Sequence, residues 1–102
     1  MFKVNTIILL IISTLFLACS PSEQELMNES RKNMQSENYK EAVKYLNKVI
    51  SMNNTNADAY NMRGVAHLQL LDYSKSKEDF TNSIKNDSSN YKPYYNRGNV
   101  QL

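Results

Sequence analysis

Hydrophobic residues are distributed in two different ways along this chain. Residues 1–18, MFKVNTIILLIISTLFLA, hold an apolar run from Ile7 to Leu17 that only Ser13 and Thr14 interrupt, with no polar face across the window. After residue 19 the apolar positions become spaced and the intervening ones polar, the pattern of amphipathic helices. A helix is predicted at roughly 22–35, with Ser20 as N-cap, Pro21 in the first turn and Glu23 as capping-box acid. A second begins at Asn38, with Tyr39, Ala42, Val43, Leu46 and Ile50 on one face. A third covers 57–70, with Tyr60, Gly64, His67, Leu68 and Leu71 near its packing side. A fourth covers about 73–86, led by Phe80 and Ile84. A closing helix starts at 91 or 92, where Pro93 is tolerated in the first turn. Asn53-Asn54-Thr55-Asn56 and Asp87-Ser88-Ser89-Asn90 are polar breakers between these segments.

Shifted by 34 residues, the chain falls on itself. Tyr39 meets Tyr73, Leu46 meets Phe80, Ile50 meets Ile84 and Asn56 meets Asn90. Tyr60-Asn61-Met62-Arg63-Gly64 falls on Tyr94-Tyr95-Asn96-Arg97-Gly98, and Leu68 on Leu102. A 34-residue period is that of a helix–turn–helix solenoid unit. Residues 57–90 supply Tyr60, Gly64 and His67 in a first helix, then Ser76, Phe80 and Ser83 in a second. Residues 23–56 supply Leu26, Ser30, Asn33, Ala42, Leu46 and Val49 in the same register, and a third unit opens with Tyr94, Gly98 and Gln101. In this pattern the chain resembles the tetratricopeptide repeat family. The resemblance implies an all-α solenoid of antiparallel helix pairs, with repeats at 23–56 and 57–90 and the first helix of an incomplete repeat at 91–102. It also implies a packing set of Tyr60, Gly64, Ala42, Ser76, Leu46, Phe80, Tyr94 and Gly98. The glycines fit that role: each costs about 1 kcal/mol of helix propensity, and a missing side chain lets two helix axes approach. The segment from Tyr91 is either a short cap or the first half of a unit. The second is favoured, because Tyr94, Gly98 and Leu102 keep the pattern to the last residue.

The N-terminal segment has the order of an export signal: Lys3 near the tip, an apolar centre, then small Ala18 before Cys19. The 12 residues from Ile7 to Ala18 span ~18 Å as a helix, short of a ~30 Å hydrocarbon layer. Leu15-Phe16-Leu17-Ala18-Cys19 resembles the lipobox of bacterial lipoproteins. That resemblance implies removal of residues 1–18, lipid on the Cys19 sulfur, a short tether at 19–22, and location in a bacterial cell envelope on the exported side of a membrane. Several acyl chains make a stable anchor where one is marginal.

Composition narrows the function classes. The formal charge is +2, and without the first 18 residues, which carry Lys3 and no acid, about +1. A nucleic-acid binder would concentrate many more basic residues. The single cysteine rules out an intrachain disulfide and a cysteine-based zinc site. No phosphate loop and no nucleophile–base–acid set is present. His67, the only histidine, takes a packing position of the repeat. Asp72, Glu78 and Asp79 are expected on solvent-facing turns. Arg63 and Arg97 either pair with an acid of a neighbouring helix, such as Asp79, or lie on the wet surface. No catalysis, cofactor, metal or small-molecule substrate is expected.

The reading that remains is a membrane-anchored interaction module, since stacked helix pairs make a concave surface suited to a protein or peptide. By family register its inward residues are Met27, Asn28, Arg31, Met34, Asp58, Asn61, Met62, Val65, Gln69, Lys92, Tyr95, Asn96 and Asn99. A non-catalytic targeting part of a longer envelope enzyme, or a structural envelope lipoprotein, are the alternatives. The processing expectation is tested by intact mass of the protein from membranes. Cleavage before Cys19 with lipid on its sulfur is expected, and Cys19→Ser should yield a soluble form or an uncut precursor. An unmodified thiol contradicts the lipobox reading.

Overall fold

The computed structural model describes residues 20–100, so the signal segment and Cys19 lie outside the described residues. Five helices follow one another: α1 (Glu23–Gln35), α2 (Tyr39–Met52), α3 (Ala57–Gln69), α4 (Tyr73–Asn86) and α5 (Tyr91–Gly98). They form an all-α solenoid of antiparallel helix pairs, α1 with α2 and α3 with α4, with α5 laid against the second pair. No helix among the described residues is long and apolar enough to cross a membrane.

Local chemistry explains each boundary. α1 is opened by Ser22 and Glu25, not by Ser20 and Glu23. The Ser22 hydroxyl accepts the Glu25 N–H at 3.1 Å, and the Glu25 carboxylate accepts the Ser22 N–H at 3.4 Å. Both pairs have capping-box spacing, but Glu23 is used elsewhere. Its Oε1 accepts from the side-chain amides of Asn53 (3.0 Å) and Asn56 (2.7 Å), tying the start of α1 to the α2–α3 turn. Asn56, Asp72 and Asn90 cap α3, α4 and α5 with their side chains.

The turns inside the two helix pairs are built alike. Glu37 and Leu71, 34 positions apart, sit in the left-handed region at φ 61° and 63°. Around each, the next N–H returns to the helix just ended: Asn38 to the Asn33 carbonyl and Asp72 to the His67 carbonyl, both at 2.8 Å. This is the Schellman closure of a helix C-terminus, usually served by glycine. Leu71, expected on the packing side of α3, is therefore drawn into the reversal and is 70% exposed. The turns between pairs repeat as well. Asn53 Oδ1 accepts from the Thr55 N–H and hydroxyl, and Asp87 Oδ1 from those of Ser89. The Ser89 bonds hold the Asp87 carboxyl below its ordinary range.

The first pair buries Leu26, Met27, Leu46 and Val49, with Ala59 of α3 joining them and Tyr45, Ile50 and Met62 packed around. The second pair is organised by Phe80, which is fully buried. A Cβ placed on Gly64 would lie 2.6 Å from the Phe80 ring, so α4 reaches this distance from α3 only because residue 64 has no side chain. Two buried serines fasten the same contact: Ser76 Oγ donates to the Gly64 carbonyl and Ser83 Oγ to the Ala57 carbonyl, both at 2.8 Å.

Removing the ring empties this contact. Phe80→Ala is expected to destabilise by roughly 3–5 kcal/mol. Gly64→Ala should be destabilising by about 1–2 kcal/mol despite its better helix propensity, because the ring must move. Urea unfolding followed by circular dichroism measures both; a Gly64→Ala protein more stable than the parent would contradict the close contact.

Candidate binding groove

α1, α3 and α5 occupy successive places in the stack, and their free sides enclose a cleft of about 400 Å³. It is lined by Arg31, Met34 and Gln35 of α1, Asp58, Asn61, Met62 and Val65 of α3, and Lys92 of α5. Met34, Met62 and Val65 provide its apolar part, all half-buried. Arg31 and Lys92 are exposed cations and Asp58 an exposed carboxylate. Adaptable apolar contacts inside a polar rim suit an extended peptide segment better than a compact polar ligand.

Among the residues expected in the groove, Arg31, Asn61, Met62, Val65 and Lys92 come together here. Asn96 lies beside them, its side-chain amide donating to Asn61 Oδ1 at 3.1 Å. The two asparagines thus meet each other, leaving Asn96 Oδ1 and the Asn61 amide hydrogens for a ligand. Tyr95 and Asn99 are exposed but line no part of the cleft. Met27 is not a groove residue: it is only 4% exposed and belongs to the core with Leu46 and Val49. It lies next to Leu26 on the side of α1 that α2 covers. Gln35 went unnoticed in the sequence, although it is the register mate of Gln69, which was considered and stays outside the cleft.

The packing candidates divide likewise. Gly64, Ala42, Ser76, Leu46 and Phe80 are buried, and Tyr60 is half-buried with its hydroxyl on the Asn54 carbonyl. Tyr94 and Gly98 are open, and a Cβ on Gly98 would meet nothing within 4 Å. The physical reason is direct: Gly64 is covered by α4, and among the described residues no helix takes the equivalent place over α5.

A second cluster joins α2, α3 and α4. The Arg63 guanidinium donates to both Asp79 carboxylate oxygens, at 2.9 and 2.7 Å, and through Nη1 to Asn47 Oδ1 at 2.9 Å. Asp79, expected on the wet surface, is 3% exposed, because this two-pronged bond compensates its carboxylate for lost water. The bond in turn raises the Arg63 pKa above its ordinary value. His67 Nε2 lies 3.7 Å from the same carboxylate. Burial pushes the His67 imidazole below its ordinary value, with Asp79 opposing and the Arg63 charge adding to the lowering. Asn47, Arg63, His67 and Asp79 line a smaller cleft together with Val43, Lys75 and Glu78. Among the described residues, no three His, Cys, Asp or Glu side chains are placed to hold a metal ion.

Helix pairs stacked at a fixed repeat, with one helix of each pair lining a continuous surface, define a helical-repeat scaffold. A tetratricopeptide repeat model matches residues 33–56 and 57–90, more than half of the chain, and the chain belongs to that family. A search of curated proteins finds no match. The fold is that of a protein–protein interaction module.

The lowered His67 pKa sets a pH dependence. The unfolded chain takes up the proton first as pH falls through about 6.5, so stability present above that value is lost as pH drops toward the lower folded pKa. Thermal melts at pH 7.5 and 5.5 should show a larger decrease for the parent than for His67→Gln. Equal decreases would place the pH dependence elsewhere.

Proposed function

We propose that the protein is an exported, lipid-anchored module that binds an extended segment of a protein partner in the groove formed by α1, α3 and α5. The observation that carries the binding part is the cleft with Met34, Met62 and Val65 between Arg31 at one side and Lys92 at the other. The anchoring part rests on Cys19 following the short apolar run that ends at Ala18. On this reading residues 1–18 are removed, 19–22 form the tether, and repeats at 23–56 and 57–90 with the first helix of a third at 91–102 project from a bacterial envelope membrane. Several acyl chains hold such a domain firmly without burying its backbone.

A photo-crosslinking side chain at Val65 should capture the partner in native membranes, and the same probe at exposed Ser74 of α4 should not. With the partner in hand, Arg31→Glu combined with Lys92→Glu is expected to weaken binding about tenfold, or ~1.4 kcal/mol, chiefly through slower association. Both side chains are exposed, so the melting temperature should stay that of the parent. Unchanged affinity in the double variant would remove the groove from the binding surface.

A further inference from the structure

The lysines are sorted by helix. Six of the nine in the sequence lie on α2 and α4: Lys40, Lys44 and Lys48, then Lys75, Lys77 and Lys85. Against them α2 sets Glu41 and α4 sets Glu78 and Asp79, which leaves these helices at +2 and +1. α1 is at −1, with Arg31 and Lys32 against Glu23, Glu25 and Glu29. α3 is neutral, with Arg63 against Asp58 and His67 uncharged. On α2 the three lysines stand four residues apart and form one exposed stripe. At 100° per residue that stripe lies opposite the buried Ala42, Leu46 and Val49. Lys44 is held by Glu41 at 3.0 Å. Lys40 and Lys48 have no carboxylate partner among the described residues.

The stripe ends beside the residues that follow Cys19. Ser20 and Pro21 border a shallow cleft of about 570 Å³ together with Leu26 of α1 and Lys48, Ser51 and Met52 of α2. Met52 is 56% exposed there. Cys19 directly precedes Ser20, so a lipid on its sulfur is attached one residue, ~4 Å of chain, from the rim of this cleft. So short a link holds the cleft and the lysine stripe at the headgroup layer. An exposed apolar side chain beside unpaired cations suits that layer, where acyl chains begin below and phosphates lie above. We propose that the exposed side of α2, from Lys40 to Met52, lies on a bilayer surface containing anionic phospholipid. Lys40 and Lys48 then meet the phosphates, and Met52 enters the boundary between headgroups and acyl chains. The position of the lipid at Cys19 rests on the anchored-module reading above; the charge sorting does not. α1 and α3 cover the apolar side of α2, and no residue of α2 lines the groove. Docking by the lysine side therefore turns the groove away from the membrane and leaves it open to a partner.

The chain has no tryptophan, so one placed at residue 52 is a unique reporter. The full chain carrying Met52→Trp, isolated from membranes, is reconstituted into phosphatidylcholine vesicles with or without phosphatidylglycerol. In the mixed vesicles brominated acyl chains should quench this tryptophan. Raising salt from about 0.1 to 1 M should relieve the quenching as the charges are screened. Gln35→Trp, at the groove, should stay unquenched in both vesicles. Lys40→Glu combined with Lys48→Glu should lower the ratio of docked to undocked chains at least about tenfold. Both lysines are exposed, so the melting temperature should stay that of the parent. Equal quenching at residues 35 and 52, or quenching indifferent to phosphatidylglycerol and to the two lysines, overturns the proposal. Flotation with phosphatidylcholine vesicles alone reads the anchor separately. A chain that floats there but is unquenched at residue 52 in the mixed vesicles keeps the anchor and overturns the docked face. A chain that does not float there, yet is quenched at residue 52 by the mixed vesicles, loses the anchor and supports the face.

Discussion

The close approach of α3 and α4 at Gly64 is the constraint on which the rest of the second unit depends. With no Cβ on Gly64, the Phe80 ring lies flush against the α3 backbone. At that separation, and no larger one, Ser76 and Ser83 reach the Gly64 and Ala57 carbonyls and Arg63 grips both oxygens of Asp79. A larger side chain at 64 would push against the ring and lengthen these bonds together, because they share one interhelical distance. The polar contacts gain their strength from being desolvated by the ring, and the ring is held in place by them. The first unit meets the same need differently. Ser30 stands in the place of Gly64 and keeps its hydroxyl on its own Leu26 carbonyl, and smaller Leu46 stands in the place of Phe80.

Directional polar bonds recur where one unit meets the next. Arg63 reaches Asn47, Asn96 meets Asn61, and Arg97 meets Thr81, while inside the first unit Glu23 holds Asn53 and Asn56 of the turn that leads into the second. Each such bond contributes only about 0.5–1.5 kcal/mol net. Their value lies in geometry. An apolar contact tolerates sliding and rotation, whereas a hydrogen bond fixes the relative position of the helices that supply its two ends. The placement of α1, α3 and α5 around one cleft thus follows from a few side-chain bonds as well as from helix packing. The thin core of so short a chain makes this division useful, since apolar burial alone is marginal at this size.

The 34-residue register made the helix pairs legible, because it was set by large residues whose environment repeats: Tyr60 and Tyr94, Leu46 and Phe80, Ile50 and Ile84. It also placed Arg31, Asn61, Met62, Val65 and Lys92 on one side of the stack, where they line one cleft, since one register places one helix face. The features it missed depend on three-dimensional partners. Sequence alone leaves Asp79 open between a surface acid and a partner of Arg63, and only the reach of Arg63 from 16 residues away decides for the pair. Leu71 looks like a packing residue by helical spacing, but the chain reverses there with φ 63° and carries it outward. Ser20 and Ser22 each precede a glutamate at the same spacing, and only the engagement of Glu23 with two asparagines decides between them. Met27 adjoins Leu26 in sequence and in the core, where a one-residue step around the helix separates groove from interior.

α3 shows how one short helix serves several neighbours. Successive residues turn by about 100°, so Ala59 and Ala66 face the interior, Tyr60 and Gly64 meet the turn and α4, Arg63 and His67 join the charged cluster, and Asn61, Met62 and Val65 face the groove. Nearly every position is occupied by a contact, which explains why α3 shows little overall amphipathic bias although it is central to the fold. Small residues are required on the interior side and at Gly64, and Arg63 is fixed by Asp79. Met62 shares its side chain between the core edge and the cleft, and Asn61 shares its carbonyl with Asn96. Val65 is the groove residue of α3 with the fewest such obligations. Substitution is therefore least constrained at Val65 and at the exposed cations Arg31 and Lys92, where the chemistry of the cleft can be altered without disturbing the contacts that hold α3 in place.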